Sequence, residues 1–260
     1  MSLLLAGFPQ TVPDVTLNRL CASGLEAVGA AARDILAGEM GVTIAGGVES
    51  KTRAPSIMGK ATGGFDRNQK LEDTIMGWRF VNPALDSTYG TDPMPRTAEN
   101  LADYHGISRA DQDGFALRSQ QRAQPHWTVD FFAEEIVTLT IPGKPRGETG
   151  IFGADEYPRP DTTAADLARL KPLFGAGGTV TAGNASGIND GAAALVIASE
   201  QDIARNGLVP RARILGMASA GVELRIMSFG PAPSTRNLLR GLVTLCVSVG
   251  MGLSLAVERV

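Results

Sequence analysis

The feature that most limits what this chain can fold into is a helix-then-strand unit near its start. From residue 22 to 37 the apolar side chains Leu25, Val28, Ala31, Ala32 and Ile35 recur at helical spacing, and Gly38 follows where a helix end accepts a left-handed residue. The next apolar run, GVTIAGG, reads as a buried strand. A helix that hands its apolar stripe to a following strand is the repeating unit of an α/β layered protein. The same texture returns at Gly191, where GAAALVIAS predicts a strand, EQDIARNG a helix closed by glycine, and ARILGMASAG a further strand.

Between these blocks, from Lys51 to Gly187, Pro and Gly are scattered through the chain in a way that suits a long excursion from the α/β core. Inside it, SRADQDGFALRSQQRA opens with Ser108 and places Asp111 three residues on, the signature of a capping box at a helix start. Near the C-terminus, GLVTLCVSVGMGLSLAV (residues 241 to 257) is uncharged. It falls short of a membrane-spanning length and is rich in Gly and Ser, so two short strands joined by a glycine turn account for it.

Composition narrows the function classes. With 260 residues, 43% of them apolar, and a formal charge of -3, the chain can bury the core of one large or two modest domains. No basic run tracks phosphates and aromatics are sparse, which argues against a nucleic-acid partner. The N-terminal MSLLLAGFPQ lacks the positive region of a signal peptide, and its apolar run is broken by Pro9. No G-x-G-x-x-G follows a strand, which sets aside a dinucleotide-binding domain.

The two cysteines, Cys21 and Cys246, are 225 positions apart and have no Cys or His at metal-ligand spacing. Free thiols of a reducing, cytoplasmic compartment fit this usage. Taken alone, Cys21 at the head of a helix is either a small core residue or a reactive thiol. Cys246 in LVTLCVSV, taken alone, reads as strand filler that alternation would hide in a core.

Six stretches in order, LNRLCASGLEAV, AGGVES, MPRTAENLA, SRADQDGFALRSQQRA, GTVTAGNASGINDGAAALVIASE and GLVTLCVSVGMGLSLAVERV, resemble successive landmarks of the thiolases, the acetyl-CoA acyltransferase family. GWRFVNPAL followed by YGTDPMPRTAEN is most similar to members acting on 3-oxoadipyl-CoA. The resemblance implies an α/β, thiolase-type layered fold of two related halves with an inserted loop domain. Residues 1–50 and 189–209 would form the N-terminal half, 51–188 the loop domain, and 210–260 a shortened C-terminal half.

By the same resemblance Cys21 is the nucleophile that takes up the acyl group, and Cys246 is the acid and base at the acetyl-CoA methyl carbon. The thiolate is the reactive form, and a helix N-terminus offers N–H groups and partial positive charge to an anion. Gly24 and Ala22 would leave room for substrate to approach. Backbone N–H groups of Cys21 and Ser248 would form an oxyanion hole, although Ser248 stands where the family usually has glycine. Met94, Phe174 and Ser186 match positions that line the thioester, pantetheine and adenine sites. The implied ligands are acyl-CoA and coenzyme A as substrates, with no permanently bound cofactor, and the implied assembly is a homo-oligomer without nucleic acid or membrane.

Two family motifs are absent from the sequence: Asn-Glu-Ala-Phe, whose asparagine holds an oxyanion-hole water, and Gly-His-Pro, whose histidine activates the nucleophile. The histidines present, His105 in ADYHGIS and His126 in QPHWTVD, lack those surroundings and read as exposed or structural. Leu239 and Arg240 abut where the family carries a longer block, which suggests an internal deletion, and MSLLLAGFP resembles a helix that in the family follows an opening strand, helix and strand. A thiolase-type enzyme is therefore expected. The alternative is a catalytically impaired, thiolase-like protein that binds CoA or pairs with intact subunits, or a degenerate fragment.

Overall fold

The computed structural model describes residues 1–129, 131–141, 150–238, 243–247 and 249–260. In chain order its helices are α1 (Ser2–Leu5), α2 (Ser23–Leu36), α3 (Pro83–Tyr89), α4 (Met94–His105), α5 (Arg109–Thr128), α6 (Ala164–Arg169), α7 (Glu200–Asn206) and α8 (Pro231–Leu238). Its strands are β1 (Val42–Glu49), β2 (Ser56–Met58), β3 (Leu71–Asp73), β4 (Leu139–Ile141), β5 (Gly150–Phe152), β6 (Gly191–Ala198), β7 (Ala212–Gly221), β8 (Val243–Val247) and β9 (Met251–Arg259). Two compact units result, Met1–Thr97 with Asp190–Val260, and Ala98–Asn189. Residues 51–97 thus pack with the α/β body; how the chain divides into related halves is a separate matter of ancestry, which compactness does not address.

In the first unit, β1 and β6 pair antiparallel from Val42 opposite Ala198 to Glu49 opposite Gly191, and β9 lies between β7 and β8 in a second antiparallel sheet. Helix α2 packs against both. Its sequence, SGLEAVGAAARDIL, is rich in strong helix formers, with Glu26 in the first turn and Arg33 in the last, each favourable to the helix dipole. Val28 and Ala31 meet Ala45 of β1 and Leu255 of β9 in one buried cluster, joined at its margin by Ile197, Ile214 and Met217. Gly29 permits the close approach to β7, because a Cβ there would lie 2.3 Å from the Met217 sulfur.

Strand β9 is buried without interruption from Gly252 to Ala256. Alternation explains how one strand can be apolar throughout. Leu253 and Leu255 belong to the clusters built on α2, while Ser254 hydrogen-bonds Ser234 of α8 at 2.8 Å and Gly252 sits against the Gly230 backbone ahead of α8. A strand covered on both faces reads as a continuous apolar run, as the uncharged C-terminal stretch does. The β8–β9 register sets Leu245 opposite Leu253 and Cys246 opposite Gly252, and the connection between them holds Val249 and Gly250 at φ 67° and 68°.

The second unit is organised by capped helices. Ser108 and Asp111 form the expected capping box on α5, and Thr163 with Asp166 form another on α6. Arg109 joins the two helices: its guanidinium donates to the Leu167 and Leu170 carbonyls at 2.6 and 3.2 Å and to Asp113 at 2.7 Å. Two carbonyls at the end of α6 thereby gain a charged donor. Among the described residues no helix is long and apolar enough to cross a membrane.

Candidate active site

Cys21 is exposed and immediately precedes Ala22, the N-cap of α2. The turn that delivers it is tight. The Ala22 N–H donates to the Arg19 carbonyl and the Ser23 N–H to the Leu20 carbonyl, each at 3.1 Å. Leu20 is held at φ 50°, in the left-handed region that a branched side chain disfavours. Two side chains enforce this conformation. Asn18 Oδ1 accepts from the Leu20 N–H at 2.9 Å, while Ser23 Oγ donates to the Leu20 carbonyl at 2.6 Å and accepts from the Arg19 N–H at 2.9 Å. Backbone strain of this kind costs about 1–3 kcal/mol and persists only where the surroundings over-determine it. Here it presents a thiol at a helix entrance.

Below the turn, Glu26 ion-pairs with Arg19 at 3.1 Å and Arg33 at 2.6 Å, tying the turn to the body of α2. Gly24 has open space around the position of an added Cβ, in keeping with room for a substrate. Ala22 differs from expectation: it is wholly buried and clusters with Leu253, so its small size serves packing against β9 and not access to the thiol.

That contact relates Cys21 to the other thiol. Ala22 packs on Leu253; Leu253 neighbours Gly252 along β9; and Gly252 pairs with Cys246 across the ladder. The fold therefore brings the backbones of the two cysteine-bearing segments to the same end of one sheet, across more than two hundred intervening residues. Ser248, assigned to the oxyanion hole, and the Leu239–Arg240 junction lie outside the described residues.

Met94 opens α4 in the first unit and is half exposed; its carbonyl accepts from Thr97 Oγ1 at 2.8 Å. Phe174 and Ser186 belong to the second unit. Phe174 is half-buried, and Ser186 is exposed on the loop that leads into β6. The backbone on either side of Ser186 is gripped by Tyr157, whose hydroxyl donates to the Ala185 carbonyl at 2.7 Å and whose ring lies against Gly187. The same loop ends at Asp190, whose carboxyl is held below the usual carboxylate range, chiefly by the Thr52 N–H donated at 2.8 Å.

His105 ends α4 and His126 lies in the last turn of α5; both are exposed, with ring centroids 5.0 Å from Tyr104 and 4.8 Å from Phe131 respectively. Sequence reasoning missed Glu99 and Tyr157. A signal existed for the first: Glu99 shares a helical face with the buried Ala102, an unusual place for a carboxylate unless something pairs with it.

Residues 1–201 match the family described as "Thiolase, N-terminal domain". The chain is 63% identical over 242 residues to the beta-ketoadipyl-CoA thiolase of Pseudomonas aeruginosa, an alignment covering 93% of this chain and 60% of that protein. It is 56% identical over 239 residues to the 3-oxoadipyl-CoA/3-oxo-5,6-dehydrosuberyl-CoA thiolase of Escherichia coli, covering 92% and 59%. Among solved structures it resembles the Bacillus anthracis acetyl-CoA acetyltransferase with a TM-score of 0.87 and 32% identity, covering 99% of this chain and 82% of that one. Human mitochondrial 3-ketoacyl-CoA thiolase follows with a TM-score of 0.84 and 27% identity over the same shares. The chain spans about 60% of the length of the curated relatives it matches.

Proposed function

This chain belongs to the thiolase family, and from that premise we propose that it is a thiolase-type acyltransferase acting on 3-ketoacyl-CoA, with 3-oxoadipyl-CoA as its substrate class. The observation that carries the reading is the exposed thiol of Cys21, presented at the N-terminal end of α2 by a strained and doubly braced turn. The Cys21 thiolate attacks the 3-keto carbon, the bond between the second and third acyl carbons breaks, and the departing acetyl-CoA carbanion takes a proton from the Cys246 thiol. Cys246, now a thiolate, takes the proton of a second CoA thiol, whose sulfur attacks the acyl-Cys21 thioester, releasing the shortened acyl-CoA and restoring both cysteines. Run backwards, the same steps are a Claisen condensation.

Coenzyme A is a substrate in this scheme and no resident cofactor takes part. Met94, Phe174 and Ser186 are assigned to its arm, and the backbone N–H groups of Cys21 and Ser248 to the oxyanion. The division into two related halves with a loop domain, a cytoplasmic location and a homo-oligomeric state complete the proposal. The missing Gly-His-Pro histidine bears on rate more than on reaction type: loss of a general base typically lowers turnover by ~10²–10⁴.

The test is thiolysis of 3-oxoadipyl-CoA, followed by acetyl-CoA release, for the wild type and Cys21→Ala. Slow turnover that disappears in Cys21→Ala is expected. Equal turnover in both proteins would remove Cys21 from the mechanism, and no turnover with intact CoA binding would leave a CoA-binding protein in place of an enzyme.

A further inference from the structure

Glu99 is a buried carboxylate, 4% exposed, that the acyl-transfer scheme does not use. It projects from α4 onto the start of the loop that ends at Ser186. Its Oε1 accepts from the Thr179 N–H at 2.8 Å and the Val180 N–H at 2.9 Å, and its Oε2 accepts from the Thr179 hydroxyl at 2.7 Å. The approach is close enough that a Cβ on Gly178 would lie 3.0 Å from Oε1. A carboxylate facing three donors is a matched set, because both of its oxygens accept and each donor finds a partner.

From this anchor the bonding runs to the chain neighbours of both residues assigned to the CoA arm in this unit. In one direction the Val180 carbonyl accepts from the Leu173 N–H at 2.9 Å, next to Phe174. In the other, Asn184 accepts from the Thr181 N–H at 2.7 Å and donates to the Thr179 carbonyl at 3.0 Å and to Asp113 at 2.9 Å. Tyr157 then holds the Ala185 carbonyl, one residue before Ser186. Val180 and Thr181 are buried, whereas Ser186 is exposed. Polar bonds thus hold the buried half of the loop, and the exposed half follows it directly in the chain.

We propose that Glu99 is a positioning residue that sets the segments of Phe174 and Ser186 for the coenzyme A arm, acting through the Thr179 and Val180 backbone. The proposal rests on the assignment of Ser186 and Phe174 to that arm. Glu99→Gln keeps the shape but turns an NH₂ toward backbone donors, and Thr179→Val removes a single donor while keeping both N–H groups.

The experiment measures coenzyme A affinity by calorimetry, hydrogen–deuterium exchange of residues 171–189, and the rate of Cys21 alkylation without CoA, for the wild type and both variants. In Glu99→Gln, exchange at 179–186 should rise and CoA binding weaken, each by roughly tenfold or more, with Cys21 alkylation unchanged; Thr179→Val should move the first two the same way by about two- to fivefold. Unchanged loop exchange in Glu99→Gln overturns the proposal, as does faster exchange with unaltered CoA affinity, which would mean a purely structural role. If Glu99→Gln does not fold, Thr179→Val decides, and wild-type behaviour in both readouts is the negative result. A wild type that takes up no CoA ends the assignment of Ser186 and the proposal with it, and that failure is visible before any variant is made.

Discussion

Gly252 lies directly opposite Cys246 in the β8–β9 ladder, and its Cα is so near the Gly230 backbone that an added Cβ would sit 1.9 Å from the Gly230 carbonyl oxygen. No flexible side chain can yield there, because the atom in the way is main chain. Gly252→Ala should therefore push the entrance of α8 away from β9 and destabilise the first unit by more than the ~1–3 kcal/mol typical of overpacking. Urea denaturation with an unchanged midpoint would show that the two backbones separate more freely than their spacing implies.

Leu253 is the floor on which Ala22 rests, and it is 1% exposed. Leu253→Ala removes that floor and leaves a cavity under the Cys21 turn. The expected loss is ~2–5 kcal/mol, read from the denaturation midpoint. An effect below ~1 kcal/mol would mean that the cluster collapses to fill the gap.

Ser234 and Ser254 are both fully buried and bonded at 2.8 Å, with Thr235 a more distant partner for Ser254 at 3.3 Å. Ser234→Ala removes the 2.8 Å bond to Ser254 and should lower stability by ~0.5–1.5 kcal/mol. The double variant Ser234→Ala/Ser254→Ala should lose less than the two single losses added together, since either single change already breaks the one shared bond. Strict additivity would deny the pair.

Acid should loosen the helix caps of the second unit. The Asp111 carboxyl is held below its ordinary value of 3.8 by the Ser108 hydroxyl and then by the Ser108 N–H. Asp166 is lowered likewise by the Thr163 hydroxyl, Arg169 and the Thr163 N–H. A carboxyl depressed in the folded state contributes stability that is fully present above its unfolded value and is lost as pH falls through the folded one. Helical circular dichroism should hold down to about the ordinary value and decline below it, and Asp111→Asn should flatten part of that decline. Identical acid profiles for the variant and the wild type would exclude the cap as the titrating element.

The sequence made the periodic elements legible and hid the ones fixed by tertiary contact. Helix α2, strands β1, β6, β7 and β9, and the Ser108 cap follow from spacing and capping chemistry within a few residues. The β2–β3 hairpin, three residues on each strand, is too short to show alternation amid Gly and Pro. Cys21 at the head of α2 was legible because thiol and helix start are adjacent in the chain. The burial of Ala22 was not, because its partner Leu253 stands at the far end of the sequence. Glu99 carried a signal in its shared helical face with Ala102, but the N–H groups that give the carboxylate its partners lie eighty residues away and only the fold brings them to it.

The β8–β9 pairing carries a consequence for how this sequence can vary. Strand residues alternate between faces, so the connection from Val247 to Met251 sets the parity of everything before it. One residue gained or lost there would shift Cys246 from Gly252 to a neighbouring position and exchange the two sides of β8, whereas a change of two residues preserves the parity. The register thus responds differently to odd and even changes of length, an arithmetic constraint that no single side chain imposes and that substitution scanning would not detect.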